Sequence, residues 1–167
     1  MFRCSLKWFS LLGLLALDFA TKIGALEMVP PLAPYGRGYP FGGIGMFDCS
    51  GITFSLNTVV NTGAACGLFP GYPGLLFGVR LAIIAGLIAY LCFERRSQKS
   101  LWPLWVVVTG ALGNVVDYCL YGHVIDFLHF TFWGKSFPIF NFADSYITLG
   151  VIYFVLRDSL KKKVQPV

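Results

Sequence analysis

The stretch Gly122 to Asp144, GHVIDFLHFTFWGKSFPIFNFAD, carries two carboxylates, Asp126 and Asp144, in a chain with only eight acidic residues. Two carboxylates that share one proton can split an amide with water. The ionised one takes a proton from the attacking water, and the neutral one protonates the carbonyl oxygen as it becomes tetrahedral. Bringing the two together pushes their apparent pKa values apart, so a singly protonated pair is available near neutral pH. Asp126 is expected on a short connection and Asp144 at a helix end, both reachable from one side. Asn114 and Asp117, at i and i+3, share a helix face, and Asn141 and Asp144 repeat that spacing. Asp117 needs a partner beyond the uncharged amide of Asn114, or else a proton. Asn61 offers donors and acceptors, and with Gly63 it belongs to a run of small residues that lets a backbone or extended ligand come close. The plainer reading of Asn61-Thr62-Gly63 is a turn.

Two other chemistries are open to the same residues. His123-x-x-Asp126-x-x-His129 has the right ligand types for zinc. Steps of three, however, fan out around a helix and alternate faces on a strand, which leaves the histidines as interfacial side chains. Carboxylates in apolar helices also mark proton-coupled transport, so a small transporter or scaffold subunit is the alternative to an enzyme. The carboxylates gather near one end of the apolar blocks and do not string across the middle, which favours an enzyme working at one membrane face. The cysteines, Cys4, Cys49, Cys66, Cys92 and Cys119, are odd in number and contain no CxxC pair, so they form no zinc or redox framework. Cys49 and Cys66 fall on the same side and could approach each other.

The elements that must hold these groups are apolar. Of the 167 residues 56% are hydrophobic and 13% charged, where a soluble domain has about a quarter charged. Four apolar blocks, at about 8–28, 72–93, 101–121 and 137–156, each approach the ~20 residues that cross a bilayer as a helix. The spacing leaves no room for a second domain, so residues 1–167 read as one α-helical integral membrane domain. The net charge of +5 sits at Arg3 and Lys7, at Arg95, Arg96 and Lys99, and at Arg157 and Lys161 to Lys163. That alternation places both termini and the middle loop in the cytoplasm and speaks against nucleic acid. The first block runs past the length of a cleavable h-region, so it is expected to stay as a helix. Ala64-Ala65-Cys66 imitates the end of a lipobox without the apolar run that must precede it.

Within that frame Asp18 and Lys22, at i and i+4, are expected to neutralise each other. Residues 29–45 are too rich in proline and glycine for a helix or central strand. Ile52 to Val60 alternates apolar and polar residues as a half-buried strand does, with its partner expected around Gly45 to Asp48, a small β region at about 45–60 between the first two helices. Arg80 lies inside the second block, where it must reach outward or face the bundle. Gly110 and Gly113 let helices approach closely.

Five short motifs, in order, resemble those of the lipoprotein signal peptidases (signal peptidase II). They are Asp18-x-x-Thr21-Lys22, Asn61-x-Gly63-Ala64-Ala65, Gly113-Asn114-x-x-Asp117, Val124-Ile125-Asp126-Phe127 and Phe140-Asn141-x-Ala143-Asp144. The resemblance implies four transmembrane helices with both ends inside and a small extracytoplasmic sheet, the cradle. It implies an aspartyl endopeptidase of the bacterial cytoplasmic (inner) membrane, acting as a monomer on diacylglyceryl-modified prolipoproteins and cutting before the lipidated cysteine. Asp126 and Asp144 are then the dyad, with Asn61, Gly63, Asn114, Asp117 and Asn141 shaping the site and Asp18 and Lys22 structural. No metal or organic cofactor is implied. The chain departs from the family pattern at Tyr118, where an arginine is usual, and at Cys66, where an aromatic residue is usual.

Overall fold

The computed structural model describes residues 2–33, 38–63, 73–94 and 101–164. Arg95, Arg96, Lys99, Ala64, Ala65 and Cys66 lie outside the described residues. In chain order the elements are α1 (Phe2–Met28), β1 (Ile44–Cys49), β2 (Ile52–Asn61), α2 (Pro73–Phe93), α3 (Trp102–Tyr121), β3 (Val124–Phe132), β4 (Lys135–Ser136) and α4 (Phe142–Val164). Lys7–Met28, Gly74–Phe93 and Trp102–Tyr121 are long and apolar enough to cross a membrane, with mean hydropathies of 1.6, 2.3 and 1.4.

Helix boundaries follow local chemistry. Pro103 sits in the first turn of α3, where its missing N–H costs nothing, and Gly122 ends the helix in the left-handed region, donating its N–H to the Tyr118 carbonyl. The fourth block starts later than the expected 137. Pro138 keeps the preceding stretch extended, and Phe140 pairs with Leu128 of β3. The helix then begins at Phe142 behind Asn141, whose Oδ1 accepts the Asp144 N–H at 2.9 Å while the Asn141 N–H faces Asp144 Oδ2 at 3.4 Å. That is a reciprocal capping box. The two Asn-x-x-Asp spacings therefore have different causes, a helix face at Asn114 and Asp117 and a helix start at Asn141 and Asp144.

The sheet is antiparallel in the order β1-β2-β3-β4. The expected pairing of β1 with β2 is present. The stretch around Asp126, expected as a connection, is instead the nine-residue strand β3, paired with β2 from Ile52↔Phe132 to Asn61↔Val124. Phenylalanines on both faces hide its alternation. Strand β2 slips register between Leu56 and Val59. The slip lets the Thr58 hydroxyl reach the Ala25 and Val29 carbonyls at the end of α1, both at 3.1 Å, and points the Asn57 amide at the Pro40 carbonyl at 2.8 Å. The C-terminus of the first helix is thus tied to the sheet that carries Asp126.

Helices α3 and α4 meet over small residues. A methyl group on Gly110 would collide with the Ala143 carbonyl, and one on Gly113 would lie 2.6 Å from Asp18 Oδ2. Gly113→Ala is expected to cost about 1–3 kcal/mol from overpacking, read as a lower melting temperature in detergent. Gly78→Ala, with open space at that position, is the neutral control.

Candidate active site

Five elements, α1, β2, α3, β3 and α4, contribute to the site. Lys22 of α1 is 1% exposed and reaches three acceptors: Asp18 Oδ2 at 2.8 Å, Asp117 Oδ2 at 2.7 Å and Asn114 Oδ1 at 2.9 Å. The expected private Asp18–Lys22 pair is therefore a junction between α1 and α3. Asp18 has a second task, accepting the Ala143 N–H at 2.8 Å. It caps the first turn of α4 from another helix, where a negative charge is favoured. Asp117 finds its missing partner in Lys22 and also accepts from the Ile125 N–H at 3.4 Å.

Asp126 and Asp144 are held differently. Asp126 Oδ2 accepts from Asn61 Nδ2 at 2.8 Å and Oδ1 from Asn141 Nδ2 at 2.7 Å. Asp144 Oδ1 accepts from Asn114 Nδ2 at 2.8 Å. Asn141 links the two, donating to one carboxylate through its side chain and capping the turn that carries the other. The ammonium bonds to Asp18 and Asp117, while neutral amides hold Asp126 and Asp144. Amides orient a carboxylate without removing its affinity for a proton as strongly as a contacting cation does.

Burial first, and the charge of Asp144 second, push the Asp126 carboxyl up to about 7, against opposing contributions from Asn61, Lys22 and Asn141. The folded protein then binds a proton that the unfolded chain releases near 3.8, so the associated stability is full below about 3.8 and is lost as pH rises through about 7. Melting temperatures should fall across that window, and Asp126→Asn should flatten the fall.

Asp126 is only 2% exposed, yet it lines an open cleft of about 510 Å³ between the end of β2 (Val59 to Gly63) and the extended segment at Ser136 to Ile139. Asp144 is half-buried at the start of α4. The cleft offers apolar wall on both sides, from Val59, Val60, Phe137 and Pro138, with polar groups at Asn61 and Asp126. An extended peptide with apolar side chains fits that chemistry.

The metal reading meets a strand instead of a helix. On β3, Asp126 and His129 point to opposite faces. The His129 ring sits between Asn57 Oδ1 at 3.2 Å and Ser136 Oγ at 2.7 Å, and burial holds the imidazole below its usual range. His123 lies against the Tyr121 ring. His129 is thus part of a polar network with Asn57 across the sheet and, through Asn57, with Ser55 of the same strand, whose hydroxyl donates to Asn57 Oδ1 at 2.6 Å; the sequence did not mark Asn57 or Ser55 as its partners. Arg80 is the other residue whose role the sequence left open. Its Nη2 donates to the Gly63 carbonyl at 2.6 Å. Tyr118 stacks on Phe77 of α2 at 4.6 Å. Cys49, Cys92 and Cys119 are free and exposed.

A bundle of apolar helices holding a buried cluster of four aspartates, roofed by a small sheet, is the architecture of a membrane enzyme, and solved structures agree. Two structures described as bacterial membrane enzymes determined by the in meso method superpose on this chain. One has a TM-score of 0.71 at 26% identity, covering 98% of this chain and 94% of that one. The other has a TM-score of 0.69 at 25% identity and covers 92% of each. The family model described as signal peptidase (SPase) II matches residues 10–160, and the chain belongs to that family. Among curated relatives, the lipoprotein signal peptidase of Chlamydia pneumoniae is 41% identical over 119 residues, 66% of this chain and 71% of the relative. That of Chlamydia felis is 37% identical over 146 residues, 84% of each.

Proposed function

We propose that this chain is an aspartyl endopeptidase of the bacterial inner membrane that removes signal peptides from diacylglyceryl-modified prolipoproteins, cutting before the lipidated cysteine. The observation that carries the reading is the amide-held pair Asp126 and Asp144, bridged by Asn141, with Asp126 opening on an apolar-walled cleft. Membership in a peptidase family favours hydrolysis over the transport or scaffold reading.

In this account α4 crosses the membrane with the three more apolar helices, both termini face the cytoplasm, and the sheet rests on the outer surface. Exposed Ile44, Met46 and Phe47 of β1 suit contact with lipid. The protein acts as a monomer and without metal. Asp126, the carboxyl that opens on the cleft, is assigned the proton at neutral pH. Ionised Asp144 takes a proton from water as the water oxygen bonds to the scissile carbonyl carbon, and Asp126 gives its proton to the carbonyl oxygen. As the C–N bond breaks, Asp144 passes its proton to the leaving nitrogen and Asp126 recovers one from the tetrahedral hydroxyl. Asn61, Asn114 and Asn141 aim the two carboxylates, and Asp117 and Asp18 fix Lys22 and the start of α4.

Purified protein incubated with a diacylglyceryl-modified precursor should release a product beginning at the modified cysteine, unaffected by chelator. The unmodified precursor should be cut at least ~10-fold more slowly, because binding of the lipid chain helps to position the scissile bond. Equal cleavage of both precursors would remove the lipid requirement, and loss of activity with chelator would revive a metal site.

A further inference from the structure

We propose that Arg80 is a positioning residue of the peptidase site, acting on Asp126 through Gly63 and Asn61. As a statement about catalysis this rests on the peptidase reading above. The contacts form a continuous series. Arg80 Nη2 donates to the Gly63 carbonyl at 2.6 Å, the Gly63 N–H donates to Asn61 Oδ1 at 3.0 Å, and Asn61 Nδ2 donates to Asp126 Oδ2 at 2.8 Å. Each link decides the next. A side-chain amide can present either its oxygen or its nitrogen. The Gly63 N–H on Oδ1 is what turns the nitrogen of Asn61 toward the carboxylate.

The Gly63 peptide needs an external hold. Asn61, paired with Val124, is the last residue of β2 in the ladder, so no strand pairing fixes Thr62 and Gly63. Arg80 supplies the hold from a firm base. One turn before it on α2, Phe77 stacks on Tyr118 of α3, with the rings 18° from parallel. Tyr118 follows Asp117, the Lys22 partner. An arginine in the apolar run Val79-Arg80-Leu81 is costly unless its guanidinium is used, and the carbonyl it reaches is the one that orients Asn61.

The plainer account is that Arg80 merely satisfies its own donors. A double-mutant cycle separates the two. The full-length chain in detergent micelles, with 13C-labelled aspartate, gives the titration midpoint of Asp126, and cleavage of the lipidated precursor gives kcat and KM. The groups facing Asp126 are Asn61 of β2, Asp144 of α4, Asn141 and Lys22 of α1, and none of them is substituted in the Arg80 variants. Arg80→Leu is expected to raise the midpoint by on the order of 0.5 pH units, since a hydrogen bond to the carboxylate is loosened. It should lower kcat about 10-fold with KM little changed. Arg80→Lys should restore most of both. In an Asn61→Ala background, Arg80→Leu should add nothing to either. An unchanged midpoint and kcat in Arg80→Leu, or full additivity with Asn61→Ala, would overturn the proposal. If Arg80→Leu does not fold, Arg80→Gln, too short to reach Gly63 but still polar, runs the same cycle. A midpoint shifted in Arg80→Leu, together with a wild-type protein that cuts no precursor, would retire the peptidase reading and leave the positioning intact. Cleavage by wild type with an unmoved midpoint in Arg80→Leu would do the reverse.

Discussion

Replacing Lys22 by methionine is expected to destabilise the protein by about 3–5 kcal/mol, the usual cost of removing one partner from a buried ion pair. Methionine fills much of the same volume, so the loss is electrostatic. Asp18 and Asp117, 2% and 1% exposed, would face each other with no counter-charge. Asn114 would lose the shorter of the two bonds to its carbonyl oxygen, keeping only that from Asn141 Nδ2 at 3.2 Å, and its amide would be held less firmly toward Asp144. The expected readout is a large fall in the detergent melting temperature together with loss of activity. Adding Asp117→Asn should recover much of the stability, because it removes one of the two stranded charges. Asp18→Asn should recover less, since Asp18 also caps α4 at Ala143. A Lys22→Met protein as stable as wild type would show that the junction contributes little.

Asp126→Asn and Asp144→Asn are each expected to lower turnover by at least ~10³-fold, within the range that general acid-base groups supply. The two should differ in their structural side effects. Both oxygens of Asp126 accept short bonds from amides, at 2.8 and 2.7 Å, so an introduced NH₂ group must face the donor of Asn61 or Asn141. Asp144 has one short bond, from Asn114 at 2.8 Å, and a longer one of 3.4 Å to the Asn141 N–H. Its amide can turn the NH₂ to the looser side. Asp144→Asn should therefore keep wild-type stability near neutral pH and isolate the chemical effect.

Much of the bundle can be read from the chain because hydropathy is a local property. The blocks that became α1, α2 and α3 stand out by length, and Ile52 to Val60 shows its strand period. β3 does not, because Phe127, Phe130 and Phe132 put large apolar groups on both faces and Asp126 interrupts them. The signal that could reveal it is Trp133-Gly134, both at positive φ, the two-residue turn of a tight hairpin. The late start of α4 was legible in Pro138 and in the Asn141 to Asp144 spacing, read as a capping box instead of a face. What local reasoning could not see is the reach of Lys22, 92 positions along the chain to Asn114. The i, i+4 neighbour Asp18 looked sufficient. The division between an ammonium-held pair of aspartates and an amide-held pair comes only from the fold, since all four are the same residue in similar apolar surroundings.

Asp126 and Asp144 are the proposed reacting pair. The most direct test is the rate of signal-peptide release from a lipidated precursor by Asp144→Asn protein whose melting temperature matches wild type. The expected rate is below about one-thousandth of wild type, with wild type releasing a fragment that begins at the modified cysteine. Release by Asp144→Asn at a rate near that of wild type would contradict the dyad.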